Sequence, residues 1–225
     1  MSSVLVGSGL QADSSAVIGY PTAREIDDDL VLGCDARVRS GSTVYLGTRI
    51  GDRLETGHNV VIRETCTIGD DVSIWSNTVV DYGCRIGDRV KIHSNCYIAQ
   101  YTEIDDDAFL APGVTIANDL YPGQPASAEL MSGPVIGAGA QIGINVTLLP
   151  YVRIGERALI GAGAVVVHDV PPDCVAFGNP AVVRCKVGEL VAIEKRVDAV
   201  ANAAGRHRRA APFGVRPLTA DQDWP

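Results

Sequence analysis

The chain has 225 residues, 46% of them hydrophobic, and a net charge of −8. That length allows one sizeable core, and the acidic balance argues against broad binding to nucleic acid or to an anionic membrane. Residues 1–19 show no basic start followed by an apolar run, and no stretch of about 18 apolar residues occurs, so a cytoplasmic protein with a small-molecule partner is expected.

From Ile26 the aliphatic residues recur in sixes: Leu32, Val38, Val44, Ile50, Ile62, Ile68, Ile74, Val80, Ile86, Ile92, Ile98, Ile104, Leu110 and Ile116, with Thr56 the polar member of the series. Four places after each of many of these stands a small or β-branched residue, among them Cys66, Val72, Thr78, Cys84, Val90 and Cys96. A helix needs apolar spacings of three and four, so two inward positions per six predict short strands separated by corners. Stacking such units buries a continuous core. The corners carry Gly or Asn (Asn59, Asn77, Gly83, Asn95, Gly113), residues that tolerate a left-handed backbone. Six cysteines show no metal-type spacing, and Cys66, Cys84 and Cys96 fill inward slots.

The register is lost after Ile116 and resumes at Ile136, running through Ile142, Leu148, Ile154, Ile160 and Val166. Residues of about 117–135 are therefore an insertion, and long loops in compact domains are usually functional. Past Val170 two prolines and Gly178 stop the repeat. Leu190, Ile193 and Val197 predict a short amphipathic helix over about 188–203, followed from Gly205 by an Arg- and Pro-containing tail. The expected organisation is one β-helix domain over 1–185 and a helix with its tail over 186–225.

The six-residue pattern resembles the hexapeptide-repeat acyltransferases over about residues 14–185. The resemblance implies an all-β fold, a left-handed parallel β-helix of triangular section with three hexapeptides per coil. Positions eighteen apart then stack at a strand spacing of roughly 4.8 Å, placing Cys66 over Cys84 and lining up Asn59, Asn77 and Asn95. The phrases Gly57-His58-Asn59-Val60-Val61-Ile62-Arg63-Glu64 and Ile116-Ala117-Asn118-Asp119-Leu120-Tyr121-Pro122 resemble signature segments of a sub-family that includes N-acetyltransferases of nucleotide-linked amino sugars. The run from Ile160 through His168 to Val170-Pro171, with Gly178-Asn179-Pro180-Ala181, is a third match, and it marks the superfamily rather than the substrate.

His58 stands at a corner, and an imidazole, with its unperturbed pKa of about 6.5, suits a general base for an attacking amine or hydroxyl. Asn118 and Asp119 open the insertion. By resemblance Asn118 belongs to the active site, holding a substrate group or steadying an oxyanion, while Asp119 holds the sugar or ammonium. Trp75 and His93, eighteen apart, are expected to stack as a wall of the acceptor site, with Tyr121 from the insertion. Gly143 and Ala162, which lack bulky side chains, are candidates for contact with the pantetheine, and Arg184 and Lys186 for the phosphates.

The resemblance further implies acetyl-CoA as acyl donor, a homotrimer and a site assembled from His58 and Asn118 across a subunit boundary. The expected reaction is N-acetylation of a nucleotide-linked amino sugar. Sugar O-acetylation on the same fold is the alternative. A catalytic zinc of the gamma-class carbonic anhydrase type lacks its third histidine, because Ile98 stands in a core slot five residues after His93. A catalytically inactive binding protein would need neither the insertion nor a thioester site.

Overall fold

The computed structural model describes residues 3–26 and 29–190. Short strands, most of them two residues long, pair in parallel into three sheets of eight, ten and eight strands that form the faces of a prism. The first face runs from Val4–Val6 to Arg153–Ile154, the second from Gln11–Ala12 to Leu159–Ile160, and the third from Val17–Tyr20 to Val165–Val166. The second face is closed by Cys174–Gly178 and by the antiparallel strand Ala181–Lys186.

The alternation within each strand explains the sixes. One residue faces outward and the next is buried, as with Ile62, Ile74, Ile92 and Ile98, all 0% exposed. Full burial of each such side chain stabilises the fold by roughly 1.5–3 kcal/mol. The small series fills the remaining inward slot. Cys66 and Cys84 stack there, their thiols donating to the carbonyls of Asp81 (3.1 Å) and Ala99 (3.2 Å). Contact with Cys66 and burial push the Cys84 thiol far above its ordinary pKa, which makes it packing material rather than a nucleophile. The asparagine column also forms, with Asn59 Nδ2 donating to Asn77 Oδ1 at 3.3 Å.

The corners share one conformation. The residue three places after the inward aliphatic is left-handed at Asn59, Asn77, Asn95 and Asn145 (φ 55–62°), and equally where a glycine was not available, as at Thr65 (φ 58°) and Tyr101 (φ 60°). A β-branched residue is poorly suited to that region. Thr65→Asn is therefore expected to raise stability by about 1 kcal/mol, a melting temperature higher by roughly 2–4 °C. An unchanged or lower melting temperature would show that Thr65 carries no strain.

Two features of the N-terminal end lie outside the six-residue pattern. The β-helix begins before residue 14: Val4–Val6 already pairs with Leu30–Leu32, and Val6 lies beside Leu32. Those two are 26 residues apart where complete coils repeat at 18, so a first excursion of eight extra residues leaves the prism between Tyr20 and Leu30. Ile26 lies in that excursion, half-buried and in no strand, so its place in the sixes is coincidental. The second excursion matches the predicted insertion: Ile104 pairs with Ile136 across 32 residues, 14 more than a coil, and the chain between folds around a short helix, Ser127–Leu130. Of the expected C-terminal helix, residues 187–190 are helical, and the remainder and the tail lie outside the described residues. Among the described residues no helix is long and apolar enough to cross a membrane.

Candidate active site

The predicted site residues fall on two different corners. His58, Trp75, His93, Gly143 and Ala162 all stand where the second face turns into the third. Asn118, Asp119 and Tyr121 stand where the third face turns into the first. His58 and Asn118 are also separated by three coils, on the order of 14 Å along the axis. They do not meet within one chain.

On the first of these corners His58 is exposed. Its Nδ1 lies 2.7 Å from Ser40 Oγ, and its backbone N–H donates to Ser76 Oγ at 3.0 Å, so serines of the coils on either side orient it. Trp75 and His93 stack as expected, ring centroids 6.3 Å apart, and Phe109 extends the stack with its centroid 4.9 Å from His93. Gly143 is demanded by the fold itself: a Cβ there would lie 2.6 Å from the backbone nitrogen of Ala162. Ala162 is exposed one coil further on. Arg184 and Lys186 are exposed on the closing strand of the second face, where Arg184 lies over the Phe177 ring at 5.3 Å.

The other corner is polar. Asn118 Nδ2 donates to Gln100 Oε1 at 2.7 Å, and Gln100 Nε2 donates to Asp81 Oδ2 at 2.7 Å. Asp81 is buried, 6% exposed, and accepts two further bonds, from the Tyr97 hydroxyl (2.8 Å) and the Tyr82 backbone N–H (2.8 Å). Burial and the bond to Asp81 push the Tyr97 phenol up to about 12, so it is a neutral donor at physiological pH. Arg63, 3.6 Å from Asp81, forks onto Glu64 with bonds of 2.9 and 3.0 Å. Arg24 reaches the same carboxylate from the first excursion at 3.0 Å while lying 3.6 Å over the Tyr82 ring.

Asp119 holds the second excursion in shape, since its Oδ1 accepts the Tyr121 N–H at 2.7 Å and its Oδ2 accepts the Ser127 hydroxyl. The loop is pinned at its base by Ser132 N–H to the Asn118 carbonyl, 2.9 Å, and at its side by the Tyr151 hydroxyl to the Leu130 carbonyl. Tyr121 is exposed on it.

Sequence reasoning gave Glu64 no role beyond its place in the His58 phrase and passed over Asp81, Tyr97 and Gln100, and a signal for Asp81 and Tyr97 exists. One place after the inward aliphatic, the first face carries Gly33, Gly51, Gly69, Gly87, Asp105, Gly137 and Gly155, whereas the third carries Tyr45, Arg63, Asp81, Ala99, Ala117, Leu149 and Val167. All seven tyrosines of the chain lie in the strands of that face, at the corner after it or in the excursion that leaves it. His168 stands at the same corner two coils beyond Asn118.

Among the described residues no three His, Cys, Asp or Glu side chains are grouped as metal ligands.

These features define a left-handed parallel β-helix interrupted by a loop at a polar corner. The bacterial transferase hexapeptide model (six repeats) matches residues 47–81, 83–118 and 133–168, and the chain belongs to the hexapeptide-repeat family. It is 33% identical over 90 residues to the galactoside O-acetyltransferase of Lactococcus lactis subsp. lactis (strain IL1403), covering 38% of this chain and 44% of that one. It is 38% identical over 81 residues to the galactoside O-acetyltransferase of Escherichia coli (strain K12), covering 34% and 40%. The matches thus span less than half the length of these curated relatives. In fold the chain is similar to the polySia-specific acetyltransferase NeuO (TM-score 0.52, 21% identity, 90% of this chain and 98% of that one). It is similar likewise to the UDP-N-acetylglucosamine O-acyltransferase LpxA of Moraxella catarrhalis RH4 (TM-score 0.53, 19% identity, 90% and 81%).

Proposed function

We propose that the chain is an acetyl-CoA-dependent acetyltransferase acting in the cytoplasm as a homotrimer on the amine of a nucleotide-linked amino sugar. The observation that carries this reading is the carboxylate–amide–amide chain that runs from the buried Asp81 through the half-buried Gln100 to Asn118 and ends at the foot of the second excursion. Gln100 takes up the Asn118 Nδ2, which leaves the Asn118 Oδ1 to accept from an incoming N–H and suits an amine acceptor. Tyr82 and Gln100 stand on the same coils as Trp75 and His93. In a trimer of parallel β-helices a neighbour's Trp75–His93 edge at that height completes the acceptor pocket, and Gly143, Ala162, Arg184 and Lys186 line the path of the donor towards the closing strand.

In the reaction the amine nitrogen attacks the thioester carbonyl carbon, forming the C–N bond. The tetrahedral oxyanion collapses, the C–S bond breaks, and the coenzyme A thiolate and the amine proton leave.

A second reading, sugar O-acetylation, is favoured by the galactoside O-acetyltransferases among the relatives. The two differ in their need for a base. A sugar hydroxyl is almost never ionised, whereas an amine is partly free in ordinary buffer and sheds its proton readily. His58→Ala is therefore expected to retain activity on an amino-sugar acceptor that climbs as pH rises from about 7 to 9. Steady-state rates across that range, on a panel of nucleotide amino sugars and free galactosides, check this. A flat, near-zero profile beside an active wild type would move the assignment to the hydroxyl acceptor.

A further inference from the structure

The geometry points to Asp81 as a positioning residue that fixes which end of the Asn118 amide faces the substrate. This inference rests on Asn118 belonging to the transfer site. An ionised carboxylate only accepts hydrogen bonds, while each side-chain amide has a donating and an accepting end. Asp81 Oδ2 lies 2.7 Å from Gln100, so Gln100 turns its Nε2 towards the carboxylate and its Oε1 outward. Gln100 Oε1 in turn lies 2.7 Å from Asn118, so Asn118 gives it an N–H and keeps its own Oδ1 for another partner. The chain has one sense, set at its buried end.

Asn118 is thereby tuned as an acceptor for an N–H or O–H of the incoming nucleophile, in preference to a donor for the oxyanion. Asp81 is itself held in place. Its Oδ1 accepts the Tyr82 backbone N–H at 2.8 Å and has the Arg63 guanidinium 3.6 Å away, and Tyr97 shares Oδ2 with Gln100. A backbone N–H cannot turn round. With Asp81→Asn the new carbonyl oxygen therefore stays on Tyr82, and the new NH2 faces Tyr97 and Gln100. The Tyr97 hydroxyl and the Gln100 amide rotate to accept it. Gln100 then offers Nε2 to Asn118, and Asn118 turns its own NH2 towards the substrate. The sense of the chain is reversed without loss of a side chain.

Gln100→Glu alone sets two carboxylates in contact, and like charges that close disfavour joint ionisation. Combined with Asp81→Asn, however, the new carboxylate accepts from the new amide and from Asn118 Nδ2, which restores the original sense with the original net charge.

The test uses full-length protein with two readouts. In 15N-labelled protein one Asn118 side-chain N–H is expected to be protected from solvent exchange in the wild type, unprotected in Asp81→Asn, and protected again in Asp81→Asn/Gln100→Glu. With acetyl-CoA and a nucleoside-diphosphate amino sugar, Asp81→Asn is expected to lower kcat on the order of 10²-fold, the scale of a misplaced reactant. The KM for acetyl-CoA should stay within about twofold, and the double variant should recover to within about tenfold of wild type.

A double variant no better than Asp81→Asn, or Asn118 protection unchanged in Asp81→Asn, would overturn the proposal. If Asp81→Asn does not fold, Gln100→Met cuts the chain while leaving the carboxylate in place, and it must lose both the protection and the turnover. Full activity in Asn118→Ala would remove the corner from the reaction altogether. The exchange data would then report the amide sense independently of that failure.

Discussion

Replacing Glu64 with Ala is expected to cost about 3 kcal/mol of stability, the low end of the range for removing one partner of a buried ion pair. The Glu64 side chain is 0% exposed, whereas its partners Arg63 and Arg24 are 33% and 46% exposed. The stranded guanidinium groups therefore regain some water, which is why the upper part of the range is not reached. For a chain of this size the melting temperature should fall by roughly 6–12 °C. Arg24 comes from the first excursion, so the same change also unlatches that loop from Tyr82.

The pH dependence of stability follows from the same contacts. Burial pushes the Glu64 carboxyl up, but the Arg63 fork, the residue's own backbone and the Arg24 charge outweigh it, and the folded pKa lies below the ordinary value of 4.5. A depressed folded pKa gives stability that is fully present above the unfolded value and is lost as pH falls through the folded one. Thermal melts of wild type from about pH 7 to pH 3 should decline below about 4.5. In Glu64→Ala part of that decline should be missing. A variant that melts like wild type at pH 7 would show that the cluster is no anchor.

The prism was legible because its physics is periodic. Each inward position from Leu32 to Ile116, and again from Ile136 to Val166, meets the same three-sided interior, so the same residue types recur and a break in register marks an excursion. Ile26 misled because the sixes record only spacing. An excursion of eight residues places an aliphatic by chance where the next coil's count would put one.

The site was legible in part. Asn118 was found because it stands where the repeat stops. Asp81, 37 residues earlier, was not, since Asp81-Tyr82 reads locally like any solvated corner. Its meaning lies in columns eighteen apart, where Glu64, Tyr82, Gln100 and Asn118 stack beside Arg63 and Asp81, and that contact exists only once the coils are stacked. His58 and Asn118 illustrate the converse. Both match short phrases, yet the corners they occupy and the coils between them are tertiary facts that no local phrase encodes.

Asn118→Ala is expected to lower acetyl transfer by about 10²–10³-fold with the melting temperature changed by no more than about 2 °C. The activity loss follows from removing the amide that holds the nucleophile: misplacement alone costs on the order of 10²-fold, and the lost acceptor for its N–H adds to that. The stability estimate follows from position. Asn118 is half-buried at a corner, its backbone carbonyl still accepts the Ser132 N–H at 2.9 Å, and the Gln100 Oε1 that it abandons is free to meet water. Asp119→Ala provides the contrast. That carboxylate receives the Tyr121 N–H and the Ser127 hydroxyl, so its loss should loosen the excursion and raise the KM for the acceptor more than it lowers kcat. Steady-state kinetics of the two variants, with thermal melts alongside, separate an amide that takes part in the chemistry from a carboxylate that shapes the loop. Wild-type turnover in Asn118→Ala would place the reaction at another corner of the prism. A kcat loss in Asp119→Ala as deep as that in Asn118→Ala would mean instead that the loop and the amide act as one unit.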